Sequence, residues 1–148
     1  MNLLIKDICD LDKYALILSQ VQFVVKFIKE RQHILAMSND LRKKFSISHG
    51  LILTVPTHWY THYNSCYNLL KAKFAVISLI EEEDLLKSIR SQEPVIKFKQ
   101  IIGDASFWVG LKEIVKILSF PTAIIGKFES EKSDLFAVYD YFKRLLGT

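Results

Sequence analysis

The main clue to the fold is the stretch Leu53-Thr-Val-Pro-Thr-His-Trp-Tyr-Thr-His-Tyr-Asn-Ser-Cys-Tyr-Asn-Leu-Leu-Lys-Ala-Lys73. This stretch passes from an extended segment into a long helix. Pro56 disfavours helical geometry at the residue before it, and Thr57 can then cap a helix. Apolar and aromatic residues follow at steps of three and four, which predicts a helix from about His58 to Ile80. The residues predicted to lie along one face of it are Tyr63, Tyr67, Leu70, Phe74 and Ile77.

This stretch lies in a window, residues 41–80, that contains no Asp or Glu. The same 40 residues hold five Lys or Arg, three His and six aromatic side chains. The rest of the chain has 15 basic and 16 acidic residues, so the net charge of +4 is concentrated in the window. Basic side chains interleaved with aromatic ones suit phosphates and bases. The alternative is a helical core of aromatics with solvated charges, and composition leaves both interpretations open.

Helical spacing of apolar residues extends over most of the remaining chain. Asp104 or Ser106 can cap the helix that carries Phe107 and Trp108. Five glycines and three prolines leave little material for turns. The predicted helices outside the opening stretch cover residues 2–10, 13–31, 33–45, 81–90, 94–102, 106–125 and 133–145. The sequence therefore predicts a mainly α protein, a single domain of residues 1–148 with six to eight helices and one short extended segment before Thr57.

No catalytic or cofactor-binding motif is evident in the sequence. His58 and His62 share a helix face, but two histidines without a third ligand make an incomplete metal site. Cys9 and Cys66 are interpreted as reduced, buried thiols of an intracellular protein. The acidic run Glu81–Asp84 spreads around a helix, which suits a solvated first turn better than a metal cage. No apolar run approaches the ~18 residues of a membrane span, so no membrane partner is expected. Because no catalytic motif is evident, no small-molecule substrate is expected either.

Several motifs, in order along the chain, resemble those of transposases of the hAT superfamily. Leu53-Thr-Val-Pro-Thr-His-Trp59 resembles the family's L-x-x-P-T-R-W, and a long helix with Tyr63 and Leu69-Leu70-Lys71 follows it. The further matches are Met1–Ile8 (L-N-L-x-x-x-D-I), Phe107-Trp108 with Leu111, Leu118 and Pro121 (F-W-x-x-L…L-x-P), Phe128-Glu129-Ser130 (L-E-S-D) and Val138–Phe142 (V-Y-x-x-F). The resemblance spans nearly the whole chain.

The resemblance implies a place in a larger architecture. Transposases of this superfamily have an RNase H-like catalytic core, with three acidic metal ligands, that is interrupted by a helical insertion domain. The matched region corresponds to that insertion domain with a little of the preceding core. None of the acidic residues matches a catalytic position, so the chain is expected to be a truncated copy or relic and not an enzyme. It is expected to hold no cofactor, since the divalent metal would belong to a full-length parent.

The resemblance also implies a site for DNA. In the family the Trp of T-R-W is associated with DNA at the transposon end, where an indole can stack on an unpaired base. Trp59 matches that position, although a core role that anchors the helix remains open; Trp108 is predicted to be core. His58 replaces the family's Arg and so lacks its permanent charge and bidentate phosphate donor. With the basic residues of the window, the candidate DNA-binding residues are Thr57, His58, Trp59, Arg42, Lys43, Lys44, Lys71 and Lys73.

Two functions are consistent with these observations. The first is a catalytically incomplete hAT-like transposase fragment that retains part of a DNA-end-binding surface, with DNA and other transposase chains as partners in the nucleus. The alternative is a helical protein-interaction module, a domesticated remnant without DNA binding. An active nuclease would need acidic metal ligands that the sequence does not supply.

Overall fold

Nearly the whole described length of the chain is helical. A computed structural model of the protein describes residues 2–55, 61–130 and 143–146. Within them lie eight α-helices, one 3₁₀ turn and a short helical stretch at residues 143–145, without any β-strand, so the prediction of a mainly helical fold is confirmed. In chain order they are α1 (Asn2–Cys9), α2 (Asp12–Lys29), α3 (Gln32–Lys44), α4 (Thr61–Lys71), α5 (Lys73–Ser78), the 3₁₀ turn (Leu79–Glu81), α6 (Glu83–Lys87), α7 (Glu93–Ile102) and α8 (Ala105–Ser130). Most of the predicted last helix, from Ser133, falls outside the described residues.

Helix α2 lies at the centre of the fold and contacts α1, α3, α4, α7 and α8. Its apolar stripe follows the predicted spacing, with Ile17 at the margin and only partly buried. Each large apolar side chain that is fully buried stabilises the fold by roughly 1.5–3 kcal/mol. The buried residues of α2 are Tyr14, Leu18, Val21, Val24, Val25, Phe27 and Ile28. Among the described helices, none has the length and apolar content that crossing a bilayer requires.

The corner between α7 and α8 is fixed by two polar contacts. Asp104 caps α8, because its Oδ1 accepts hydrogen bonds from the backbone N–H of Ser106 at 2.9 Å and from the Ser106 hydroxyl at 2.6 Å. The indole N–H of Trp108 donates to the carbonyl oxygen of Ile102 at 2.9 Å. Trp108 is buried, so its predicted core role is confirmed. Helix α8 continues through Pro121 to Ser130.

The prediction of one continuous helix from about His58 to Ile80 is wrong in the middle of that range. The chain breaks between α4 and α5 at Ala72, where φ is −86° and ψ is 7°. The N–H of Ala72 is shared between the carbonyl oxygens of Asn68, at 3.0 Å, and Leu69, at 3.1 Å. The break allows α5 to pack against α3. The predicted helix start lies in residues 56–60, outside the described residues.

The face of α4 and α5 that Tyr63, Tyr67, Leu70, Phe74 and Ile77 share is only partly buried. Tyr63 and Tyr67 are only half-buried, and Phe74 is 66% exposed. The opposite, smaller side chains face the core, because they let α4 approach α8 closely, and these two helices form an extensive contact. The buried residues are Ser65, Cys66, Asn68, Leu69, Ala72, Ala75 and Val76. The tyrosines of α4 are therefore partly available at the surface.

The acidic run Glu81–Asp84 divides between the 3₁₀ turn and α6. Glu83 and Asp84 occupy the first turn of α6, as predicted, where carboxylates are favoured by the helix dipole. The helix ends at Lys87 and not near residue 90, and Lys87 forms an exposed 3.4 Å pair with Glu83. Such a pair adds little stability.

Candidate nucleic-acid interface

Three consecutive basic residues, Arg42, Lys43 and Lys44, occupy the last turn of α3. Positive charge at this end of a helix interacts favourably with the helix dipole. The Lys43 and Lys44 side chains are exposed, and neither forms a salt bridge with any carboxylate in the described part of the chain. Both ammonium groups are therefore available to an external anion.

The chain leaves α3 through a left-handed turn. Ser46 has φ of 58° and is, within the described ranges, the only non-glycine residue with positive φ. Its N–H donates to the carbonyl oxygen of Lys43 at 3.1 Å, and the N–H of Ile47 donates to that of Arg42 at 2.9 Å. These two bonds make a Schellman motif, which satisfies two of the free carbonyl groups at the helix end. The segment after the helix is thereby folded back over its last turn.

Arg42 holds the loop that follows this turn. Its Nη1 donates to the carbonyl oxygen of Ser48 at 3.1 Å, and its Nη2 lies 3.4 Å from Oδ1 of Asn39. A Cβ atom at Gly50 would lie 3.9 Å from Cζ of Arg42, so the backbone passes close to the guanidinium. Its Nε is buried and, within the described part of the molecule, has no hydrogen-bond partner. Two of the five N–H donors of Arg42 are thus used inside the protein.

Lys71, at the end of α4, lies beside this loop although the two are distant in sequence. A surface pocket of about 310 Å³ separates them. The Lys71 Nζ is 5.4 Å from the centroid of the Tyr67 ring, and Tyr67 stacks on Tyr63 with centroids 5.7 Å apart. The residues that line the pocket, none of them acidic, are Ser46, Ile47, Ser48, His49, Tyr67 and Lys71.

The fold therefore joins parts of the acid-free window into one surface. We call it the α3–α4 surface and define it as Arg42–Lys44, Ser46–His49, Tyr67 and Lys71. It contains four of the eight candidate DNA-binding residues, which are Arg42, Lys43, Lys44 and Lys71.

Lys73 lies against a different element. Its Nζ is 5.5 Å from the centroid of the Trp108 ring, at the start of α8. A cation over an indole face is stabilised by the ring quadrupole. Lys73 is half-buried and does not line the pocket beside Lys71.

The other three candidate residues, Thr57, His58 and Trp59, lie outside the described residues. A hydrogen bond joins two residues that flank them, because the N–H of Val55 donates to Oγ1 of Thr61 at 2.9 Å. The base-stacking role that the resemblance implies for Trp59 stays a prediction.

His62, the second member of the predicted histidine pair, is half-buried in α4. Burial lowers the pKa of its imidazole. Its partner His58 is not among the described residues. In residues 2–55, 61–130 and 143–146, no three His, Cys, Asp or Glu side chains come together as a metal site would require.

Five residues of the pocket were not among the predicted site residues: Ser46, Ile47, Ser48, His49 and Tyr67. The run Ser46-Ile-Ser-His49, one residue after the basic triplet, was a usable signal. The spacing of Tyr67 and Lys71, four residues apart on one helix face, was another. Neither signal shows that the two segments line one pocket, since that depends on how the tertiary fold places α4 relative to the loop after α3.

Comparison of the chain with models of known protein families, with characterised proteins and with solved structures finds no match.

Proposed function

We propose that this chain is a non-catalytic helical domain that binds DNA through the α3–α4 surface, in the manner of an insertion-domain fragment of an hAT-like transposase. The observation that supports the proposal is the position of Lys71 beside the loop after α3. It adds a third exposed ammonium group to those of Lys43 and Lys44, beside a pocket whose described lining includes no carboxylate.

Phosphate contacts make the binding dependent on salt, because each neutralised phosphate releases condensed counterions. Three lysine–phosphate contacts to a duplex predict a slope of about −3 in a plot of log affinity against log salt concentration. Removing one contacting lysine reduces the steepness of that slope by about 1. An apolar protein interface would show no such dependence.

The test is fluorescence anisotropy with a labelled hairpin DNA, from about 50 to about 200 mM salt. We expect Lys43→Ala and Lys71→Ala to weaken binding and to flatten the salt dependence. Lys116→Ala is the matched control, because Lys116 is an exposed lysine of α8 outside the α3–α4 surface. Equal affinities for all three variants would contradict the assigned surface.

Trp59 provides an independent test of the family resemblance. Loss of one base–aromatic stack costs ~1–3 kcal/mol, so Trp59→Ala should lower hairpin affinity roughly 5- to 150-fold. If Trp59→Ala and Lys43→Ala both leave the affinity unchanged, the DNA-binding proposal is wrong. Metal-dependent strand cleavage by the purified chain would contradict the non-catalytic part of the proposal.

Exposed apolar side chains favour a second candidate, the protein-interaction module. Phe74, Val109 and Phe120 are 66%, 68% and 57% exposed. Aromatic and aliphatic side chains of this kind anchor protein interfaces. A complex formed through them should keep its affinity as salt rises and should weaken in Phe74→Ser or Phe120→Ser, with Lys43→Ala as the control.

A further inference from the structure

The pocket between the loop after α3 and the end of α4 has the composition of a phosphate site. Its lining includes Lys71, Ser46, Ser48, Tyr67 and His49, whose side chains carry an ammonium group, three hydroxyls and an imidazole. Ammonium and hydroxyl groups donate hydrogen bonds, and an imidazole can donate one. A phosphate group offers acceptors and negative charge, and nothing in the pocket lining would repel it.

The loop that forms one wall is held in place by the protein itself. The bonds from Ser46 and Ile47 to carbonyls of α3 fix its start, and the Arg42 bond to the Ser48 carbonyl fixes its middle. The Ser48 carbonyl is used in this way, whereas its hydroxyl makes no hydrogen bond to the described part of the chain. Pre-organised donors reduce the ordering entropy that binding costs.

The volume of the pocket indicates more than an isolated phosphate. About 310 Å³ lies at the lower end of the range for small-molecule sites. Tyr67 lines one side, and aromatic rings are the usual platforms for nucleobases. Its ring is supported from within α4 by the stack on Tyr63.

We propose that this pocket is a nucleotide subsite in which Lys71, Ser48 and His49 bind one phosphate group and Tyr67 contacts the attached nucleoside. The inference deepens the proposed function and rests on it for the source of the nucleotide, a DNA strand. The same chemistry would accept a free mononucleotide, so the test separates the two sources.

The experiment is a ¹H–¹⁵N NMR titration of the full chain with inorganic phosphate, deoxyadenosine 5′-monophosphate, deoxyadenosine and a hairpin DNA. We expect the monophosphate, and more weakly inorganic phosphate, to shift the amide resonances of residues 46–49. Deoxyadenosine, which lacks the phosphate, should leave them in place. The hairpin should shift the same resonances and compete with the monophosphate.

Two variants and a control assign the contacts. Lys71→Gln should lower affinity for the monophosphate about tenfold or more, because it removes a charge-assisted bond. Ser48→Ala should lower the affinity for the monophosphate roughly two- to tenfold without changing the conformation of the loop. This variant tests the subsite if Lys71→Gln fails to fold. Lys116→Gln should change nothing.

The outcomes distinguish this inference from the proposed function. If the hairpin binds with a steep salt dependence but neither phosphate nor the monophosphate moves residues 46–49, the subsite is wrong and the function stands. If the monophosphate binds there and the hairpin does not bind, the subsite stands for free nucleotides and the DNA function falls. Unchanged affinity in both pocket variants overturns the subsite.

Discussion

The Nη1 atom of Arg42 lies 3.1 Å from the carbonyl oxygen of Ser48, which ties the last turn of α3 to the loop beside it. A basic side chain that the sequence analysis groups with the candidate DNA-binding residues thus also bonds within the protein. The adjacent Lys43 makes no comparable bond in the described residues and projects into solvent. Neighbouring cations of one triplet therefore have different physical roles.

Replacing Arg42 should destabilise the fold, whereas replacing Lys43 should not. Arg42→Ala removes the bonds to Ser48 and Asn39, and we expect the free energy of unfolding to fall by about 1–2 kcal/mol. Lys43→Ala should stay within about 0.5 kcal/mol of the wild type. Urea denaturation followed by circular dichroism measures both. Equal stability of the two variants would show that the Arg42 bonds contribute nothing.

Ser46→Gly should stabilise the protein. A left-handed conformation costs a non-glycine residue about 1–2 kcal/mol, and Ser46 has φ of 58°. Glycine removes that cost but loses more chain entropy on folding, so the expected net gain is up to about 1 kcal/mol. Ser46→Val, which adds a branched Cβ at the same φ, should destabilise. Chemical denaturation of the pair tests the sign, and a destabilising glycine would contradict the turn.

Gly110 and Ile17 should be energetically coupled. A Cβ atom at Gly110 would lie 2.7 Å from Cδ1 and 3.2 Å from Cγ1 of Ile17, so Ile17 would have to move. Ile17→Val removes Cδ1 and with it the closest contact. Gly110→Ala should therefore be more favourable in the Ile17→Val background by roughly 0.5–1 kcal/mol. A double-mutant cycle measured by denaturation gives the coupling, and additivity within error would refute the contact.

Glu113 should make the stability of the fold depend on acid pH. Both of its carboxylate oxygens lie 3.0 Å from Nζ of Lys13, and the Tyr14 hydroxyl donates to Oε1 at 3.0 Å. The bond to Lys13, followed by that to Tyr14, lowers the pKa of Glu113. A carboxyl group whose pKa is lowered in the folded protein stabilises the fold at pH values above its ordinary pKa of 4.5. That stability is lost as pH falls through the lowered pKa.

Glu113→Gln should accordingly have a lower Tm than the wild type near neutral pH, and the difference should vanish in acid. The bond to Glu113 raises the pKa of Lys13. Lys13 therefore stabilises the fold at pH values below its ordinary pKa of 10.5, and this stability is lost as pH rises through the raised pKa. Thermal unfolding measured from acid to alkaline pH tests both effects. Glu81→Gln, at an exposed position, is the control, and a pH-independent difference for Glu113→Gln would contradict the argument.

The two cysteines should be unreactive in the native protein. Burial raises the pKa of Cys9 to about 11 and that of Cys66 to about 12, and the thiolate is the reactive form. A thiol reagent at mildly alkaline pH should modify neither until denaturant is added. Gln22→Cys, at an exposed position of α2, is the control and should react at once. Rapid native modification of Cys9 or Cys66 would show that the thiols are accessible.

Local signals in the sequence account for most of the helices. The apolar stripe of α2 and the Asp104 cap both depend on residues close in the chain. They were predicted correctly because helix periodicity and capping are local properties. The division of α4 from α5 at Ala72 was missed, since Ala is a strong helix former and carries no breaking signal.

Local patterns in the sequence are enough to predict a mainly helical protein with its positive charge concentrated in residues 41–80. The use of that window depends on how the helices pack in three dimensions. Small side chains of α4 pack against α8 and leave Tyr67 at the surface, so that Lys71 meets the loop after α3. Lys73, two residues later, lies instead over Trp108. Hydrophobic spacing fixes the period of a helix, but the face that is buried depends on how closely a neighbouring helix can approach.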